Sequence, residues 1–184
     1  MKKINVLLLT LLANATFAQV NPKLQTKLEQ QAKEIEAQVI EWRRHFHEFP
    51  ELSNRETKTG AYIAEHLKKL GMEVQYPVAK TGVVGLLKGG KPGPVIALRA
   101  DIDALPVTER NSLPFASKER TTFNGQETGV MHACGHDAHT SVLMGLAEEI
   151  KQDIRSIIPR GKVLLVFQPA EEGAPAGEEG GAYL

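Results

Sequence analysis

The stretch KVLLVFQPAEEG, residues 162–173, decides the fold. After Lys162 the run Val163 to Phe167 has no polar side chain to turn toward water on either face. That is the composition of a strand covered on both sides. Gln168 and Pro169 stop it, and Glu171-Glu172 then sets two adjacent carboxylates at the strand's end. Neighbouring residues there point in different directions, so one carboxylate can hold a cation while the other stays free to move a proton. A solvated acidic loop has the same composition, and Glu178 and Glu179 are read as one.

Upstream of this strand the periodicity supplies its covering. From Pro22, capped by Asn21, apolar residues Leu24, Leu28, Ile35, Val39, Trp42 and Phe46 recur at spacings of three, four and seven, giving a long helix with one apolar stripe. Pro50 limits it. Ser53-Asn54-Arg55-Glu56 matches a capping box for a second helix that buries Ile63, Leu67 and Leu70 and ends at Gly71. Met72–Val78, Gly82–Lys88 and Val95–Ala100 are short and rich in Val, Leu and Ile, and read as strands. The Gly/Pro turn GGKPGP predicts that the last two form a hairpin. Residues 104–131 are polar with scattered Gly and Pro, which predicts a long loop of the kind that carries function. A helix follows from His139 to about Asp153 with Val142, Leu143, Leu146 and Ile150 inward. Strands interleaved with helices argue an α/β sandwich. The final Gly-Gly-Ala-Tyr-Leu has the composition of a helix's opening turn.

The chain begins MKKINVLLLTLLANATFAQV. Two lysines, an apolar run from Val6 to Ala13 and small residues at Thr16 and Ala18 form a secretory leader, residues 1–18, with cleavage after Ala18. The run is too short for a comfortable membrane span of ~20 residues, so no membrane anchor is expected once the leader is removed. The expected location is the periplasm or the exterior. Lys plus Arg and Asp plus Glu each number 22. Loss of the leader removes two lysines and no acids, leaving a slightly acidic chain without the basic footprint that nucleic acid or an anionic membrane requires. Residues 19–184 suit one domain of ordinary size.

Chemistry-bearing residues collect at two further places. Asp101 and Asp103 follow the strand VIAL, and alternate residues of an extended segment face the same way, so both can border one cavity. Asp is also common in turns. The stretch MHACGHDAHT, 131–140, holds the only cysteine, Cys134, and half of the six histidines. A lone cysteine in an exported chain has no internal disulfide partner, so Cys134 is a buried thiol, a ligand or a reactive group. Just before a helix, the dipole would lower its pKa and favour the thiolate. With His136 it suits zinc or another borderline divalent ion, with Asp137 and the other histidines fixing ring orientation. Paired with a histidine base, Cys134 would instead be the nucleophile of a thiol hydrolase, a reading that leaves the Glu171-Glu172 pair unexplained.

Taken in order, WRRHFHEFPELS (42–53), TGVVG (81–85), ALRADIDALPV (97–107), MHACGHDAHT (131–140) and VFQPAEEG (166–173) resemble the successive signatures of the amidohydrolase branch of the aminoacylase and carboxypeptidase-G-like metallopeptidases. That branch includes hippurate hydrolase, N-acyl-amino-acid hydrolases and plant auxin-conjugate hydrolases. The resemblance implies a zinc-peptidase-like α/β/α sandwich, of which residues 19–184 would be the N-terminal part of the catalytic domain. It implies two divalent ions, zinc or manganese with cobalt or nickel as alternatives, and hydrolysis of the amide bond of small N-acylated amino acids. Cys134, His136 and Glu172 match metal ligands and Glu171 the general base. Asp103 matches the aspartate held beside the metals in related branches, which carry a histidine ligand where this chain has Asp101. Family members also use two later histidine ligands and an inserted lid or dimerisation domain. These are expected beyond Leu184, so the 184 residues alone are expected to be inactive and the complete protein a homodimer.

Overall fold

The computed structural model describes residues 21–152 and 160–183, so the expected leader lies outside the described residues. Helix α1 spans Pro22–Glu48 and starts as the sequence implies, with the Asn21 side chain accepting a hydrogen bond from Lys23 N at 3.0 Å. Its stripe sinks toward the C-terminal end: Leu24, Leu28, Ile35 and Val39 are half-buried, Trp42 and Phe46 buried. Helix α2 spans Thr57–Lys69, buries Ile63, Ala64 and Leu67, and stops before Gly71, whose φ of 73° suits glycine.

The expected capping box at 53–56 does not form. No side chain at the N-cap Glu56 bonds the helix. The free amides of the first turn are instead taken by Glu51, whose carboxylate accepts from Lys58 N at 3.2 Å and from Thr59 N and Oγ1 at 2.8 and 2.9 Å. A carboxylate at a helix N-terminus is favoured by charge and by hydrogen bonding alike. That frees Ser53 and Glu56 for other partners.

Strands β1 (Glu73–Val78), β2 (Gly82–Lys88), β3 (Val95–Asp101) and β6 (Lys162–Gln168) form one mixed sheet in the order β1-β2-β6-β3. The predicted hairpin of 82–88 with 95–100 is therefore wrong. The antiparallel neighbour of β2 across a short turn is β1, and β6 inserts between β2 and β3. The reason lies in composition: KVLLVF is the most apolar strand and takes the central place, and the GGKPGP connection crosses over its end. Strand β6 runs antiparallel to β2 and parallel to β3, with Val83 opposite Phe167 and Ala100 opposite Phe167 on the other side.

Helix α3 spans His136–Gln152, three residues earlier than the periodicity implies. Its inward face is Leu143, Met144, Ala147 and Ile150, whereas Val142 and Leu146 are exposed, a rotation of the expected face by about one residue. Together with Trp42 and Phe46 of α1 and Ile63, Ala64 and Leu67 of α2, these residues cover one face of the sheet, made by Val83, Leu87, Val163, Leu165 and Phe167. Burying a side chain such as Phe167 or Leu165 contributes about 1.5–3 kcal/mol. The opposite face, with Leu164 and Val166, is half-buried among the described residues. The architecture is mixed α/β, as expected.

The segment 104–131 is not wholly loop. Strands β4 (Arg120–Phe123) and β5 (Gln126–Gly129) pair antiparallel around Asn124-Gly125, whose φ values of 49° and 78° match a type I′ turn. The Asn-Gly pair between Thr/Phe-rich flanks was the signal in the sequence, masked by the polarity around it.

Candidate metal centre

Two parallel strands, β3 and β6, deliver their C-terminal ends side by side, with Asp101 opposite Gln168 in register. Pairing runs one step further, Ile102 N donating to Gln168 O at 3.0 Å. Beyond that step the chains part, leaving a crevice of the kind in which open α/β sheets bind ligands. Asp103 enters from one side, the Glu171-Glu172 turn from the other, and the first turn of α3 closes the third.

Asp103 is buried and organises the centre. One carboxylate oxygen, Oδ2, accepts from Ser53 Oγ at 2.7 Å and from Glu172 N at 2.9 Å. His136 Nδ1 donates to the Asp103 backbone carbonyl at 2.9 Å and lies 3.2 Å from Oδ1. Burial pushes the Asp103 carboxyl up, but bonds from His136, Ser53 and the Glu172 and Glu171 amides outweigh it and hold it below its ordinary value. The hydrogen bond with Asp103, against the opposing effect of burial, raises the His136 imidazole to about 9.

With Nδ1 committed, His136 Nε2 faces the carboxylates, 3.7 Å from Glu171 Oε2 and 3.8 Å from Glu172 Oε1. Ligand atoms of Cys134, His136 and Glu172 all lie within 4.8 Å of one another, and so do those of Asp101, His136 and Glu171. Asp101 also accepts from Arg99 Nε and Nη2, both at 2.8 Å. Every residue singled out at 101–103, 134–136 and 171–172 is thus brought to one place, and the two triples meet at His136.

The donors fit divalent cations. Glu172 Oε1 is buried without a hydrogen-bond partner. Sulfur, an imidazole nitrogen oriented by a carbonyl behind it, and carboxylates are the set that zinc and similar ions accept. Atoms each about 2 Å from such an ion stand roughly 3–4 Å apart, as Nε2 does from Glu171 and Glu172.

Known peptidases and amidohydrolases resemble this chain. Residues 97–184 match the model of peptidase family M20/M25/M40. The N-acetyl-L-cysteine deacetylase of Bacillus subtilis is 48% identical over 75% of this chain and 31% of its own length. The N-acyl-L-amino acid amidohydrolase of Geobacillus stearothermophilus is 45% identical over 79% of this chain and 37% of its own. A crystal structure of the Bacillus subtilis YXEP protein, a dinuclear metal binding peptidase from the M20 family, superposes with a TM-score of 0.67 at 45% identity, over 76% of this chain and 37% of that one. Over residues 97–184 this chain is thus similar to an M20 peptidase domain. It spans about a third of the length of these relatives.

Several contacts of this centre were not legible beforehand. Cys134 is exposed, and its thiol is pushed up, chiefly by a hydrogen bond with Glu172, not lowered by the helix. A carboxylate in contact outweighs the half-charge of a helix end. Asp137, expected to orient the ring of a metal ligand, bonds α1 instead: its Oδ2 accepts from His47 Nδ1 at 2.7 Å and from Arg43 Nε at 3.0 Å. The other ring nitrogen of His47 lies 2.9 Å from Glu109 Oε1, which ties the long 104–131 segment to the same point. His132 is buried, which lowers its imidazole to about 4, while His139 is exposed with its ring 5.8 Å from that of His136. Glu178, expected to be merely solvated, pairs with Arg55, with Lys80 at 2.9 Å and with Asn54 Nδ2 at 3.1 Å. Arg55 and Lys80 hold its carboxyl down at about 2.

Proposed function

We propose that the complete protein is a metal-dependent amidohydrolase that cleaves the amide bond of small N-acylated amino acids or related conjugates. The observation that carries this reading is the pair of ligand triples meeting at His136, with Glu171 the exposed member of one of them. Cys134, His136 and Glu172 would hold one divalent cation, and Asp101 borders a second position with His136 and Glu171. Zinc or manganese suits these donors, with cobalt or nickel as alternatives. Such ions, when bound, supply Lewis acidity that polarises an amide carbonyl and makes water a stronger acid.

The chain's own residues supply the rest. Glu171 is the more open of the two carboxylates, 42% exposed against 19% for Glu172. It takes the proton of the attacking water and returns it to the amine as the C–N bond breaks, leaving a free amino group and a carboxylic acid. Asp103 is buried behind His136, so its part is to hold that ring's tautomer and direction, as a positioning residue. A thiol hydrolase would leave the Glu171-Glu172 pair beside His136 without a part, whereas the metal reading uses both carboxylates.

Export rests on the leader at 1–18. No helix among the described residues is long and apolar enough to cross a membrane. Two further histidine ligands and a homodimer formed through a separate domain complete the proposal, both resting on the family resemblance.

The deciding experiment is Glu171→Gln in the complete enzyme. Hydrolysis of N-acyl amino acids should fall by about 10²–10⁴-fold with metal content unchanged. Activity near the wild-type level, or activity indifferent to chelator and re-added metal, would overturn the proposal.

A further inference from the structure

Four consecutive residues, Ser53-Asn54-Arg55-Glu56, all reach the segment that carries Glu171 and Glu172 or the aspartate behind it. Ser53 bonds Asp103, Asn54 donates to the Glu178 carboxylate and, at 2.9 Å, to Glu179 O, and Arg55 pairs with Glu178. Glu56 goes deepest. Its side chain is fully buried, one carboxylate oxygen accepting from Ala170 N at 2.8 Å and the other from Thr81 Oγ1 at 2.6 Å. Ala170 is held at a φ of 50°, a left-handed conformation that alanine seldom adopts, so this turn is imposed by its surroundings. Two residues on, Glu172 N is bound by Asp103. Glu171 is therefore the residue between two amides, each fastened to a buried carboxylate.

Glu56 is itself backed by the turn before β2. Thr81 is buried, and Gly60 of α2 lies so close that a Cβ there would collide with the Thr81 carbonyl. The carboxylate thus stands on a fixed base.

We propose that Glu56 is a positioning residue that aims Glu171: by fixing the Ala170 amide it sets the left-handed step that turns the Glu171 carboxylate toward His136. The proposal rests on the reading of Glu171 as the proton carrier. A carboxylate is suited to the task because it accepts from both partners at once; glutamine keeps one oxygen for the Ala170 amide and can donate to the rotatable Thr81 hydroxyl.

The test uses the complete, metal-loaded enzyme carrying Glu56→Ala, Glu56→Asp and Glu56→Gln, each also in the Glu171→Gln background. Glu56→Ala should lower kcat by about 10²-fold, the cost typical of a misplaced catalytic group, with little change in KM. Glu56→Asp, which keeps the charge but cannot span both partners, should show the same direction and serves if the alanine variant does not fold. Glu56→Gln should recover most of the rate. Amide exchange at Ala170 should be slow in the wild type and in Glu56→Gln, and fast in Glu56→Ala or Glu56→Asp. In the Glu171→Gln background the Glu56 substitutions should add little further loss. Wild-type kcat in Glu56→Ala, equal impairment of Glu56→Gln, unchanged exchange at Ala170, or a full additive loss in the Glu171→Gln background would each overturn the proposal. Failure of the underlying reading would appear separately, as an active Glu171→Gln single variant.

Discussion

The Asp103 carbonyl and the His136 Nδ1, 2.9 Å apart, fix which nitrogen of the ring is available to a cation. The donor at Nδ1 leaves Nε2 facing Glu171 and Glu172. Backbone geometry sets this bond, so the Asp103 side chain acts by a different route, through Oδ1 beside the ring and Oδ2 on the Glu172 amide. Asp103→Ala would strip both and leave Ser53 Oγ without its acceptor. Residues that orient metal ligands in this way typically contribute 10–100-fold in affinity. Zinc affinity of Asp103→Ala, measured by competition with a chromophoric chelator, should fall by about that factor, and an unchanged affinity would show that the carbonyl alone orients the ring.

The elevated His136 makes cation uptake a proton-releasing event. In the metal-free protein the ring stays protonated up to about 9, while a cation needs the bare Nε2 lone pair. Affinity should therefore rise with pH through about 9. The Cys134 thiol, also raised, adds to the same trend. Calorimetric titration at pH 7 in buffers of different ionisation enthalpy should report net proton release, and His136→Gln should reduce it. Heat independent of the buffer would contradict the assignment.

The Glu178 cluster predicts a signature in acid. Its carboxyl is depressed to about 2 by Arg55 and Lys80, against an ordinary value of about 4.3. A depressed carboxylate contributes stability that is present above the ordinary pKa and is lost as pH falls through the folded value. Denaturant midpoints should thus decline between about pH 4 and 2, and Glu178→Gln should flatten that part of the profile. Because the group is partly open to water, screening keeps the change modest. Parallel slopes in the two proteins would remove the cluster from the stability account.

The ligands were legible because they sit at strand ends and helix starts, marked by abrupt changes from apolar to polar sequence. The supports were not, because they depend on long-range placement. Ser53-Asn54-Arg55-Glu56 satisfies a local capping pattern, and only the arrival of β6, over a hundred residues later, supplies Ala170 and Glu178 as better partners. The same non-local choice misled the strand pairing. Gly/Pro turns predict which segments reverse, whereas neighbours are set by which strand must be driest, and β6 won the centre of the sheet. The outward rotation of Val142 and Leu146 follows α3 packing on α1 through Gly145, where a side chain would strike Val39. Small-residue contacts of this kind carry no hydrophobic signal.

Cys134 offers the sharpest separation of ligand from nucleophile. The thiol is exposed and lies within 4.8 Å of Glu172, so in the metal-free protein it is open to alkylation, though slowed by its raised pKa. Coordination would bury the sulfur's reactive lone pair behind a cation, and iodoacetamide should then modify the metal-loaded protein several-fold more slowly. Cobalt offers an independent reading, since a thiolate ligand gives a near-ultraviolet charge-transfer band that Cys134→Ser should abolish. Cys134→Ser should also weaken the hold on zinc while leaving chelator-sensitive hydrolysis detectable, because oxygen is a poorer but usable donor. A nucleophilic cysteine would behave differently in each respect. Alkylation would run at the same rate with or without metal, the cobalt spectrum would lack the band, and Cys134→Ser would be inert whatever metal was supplied.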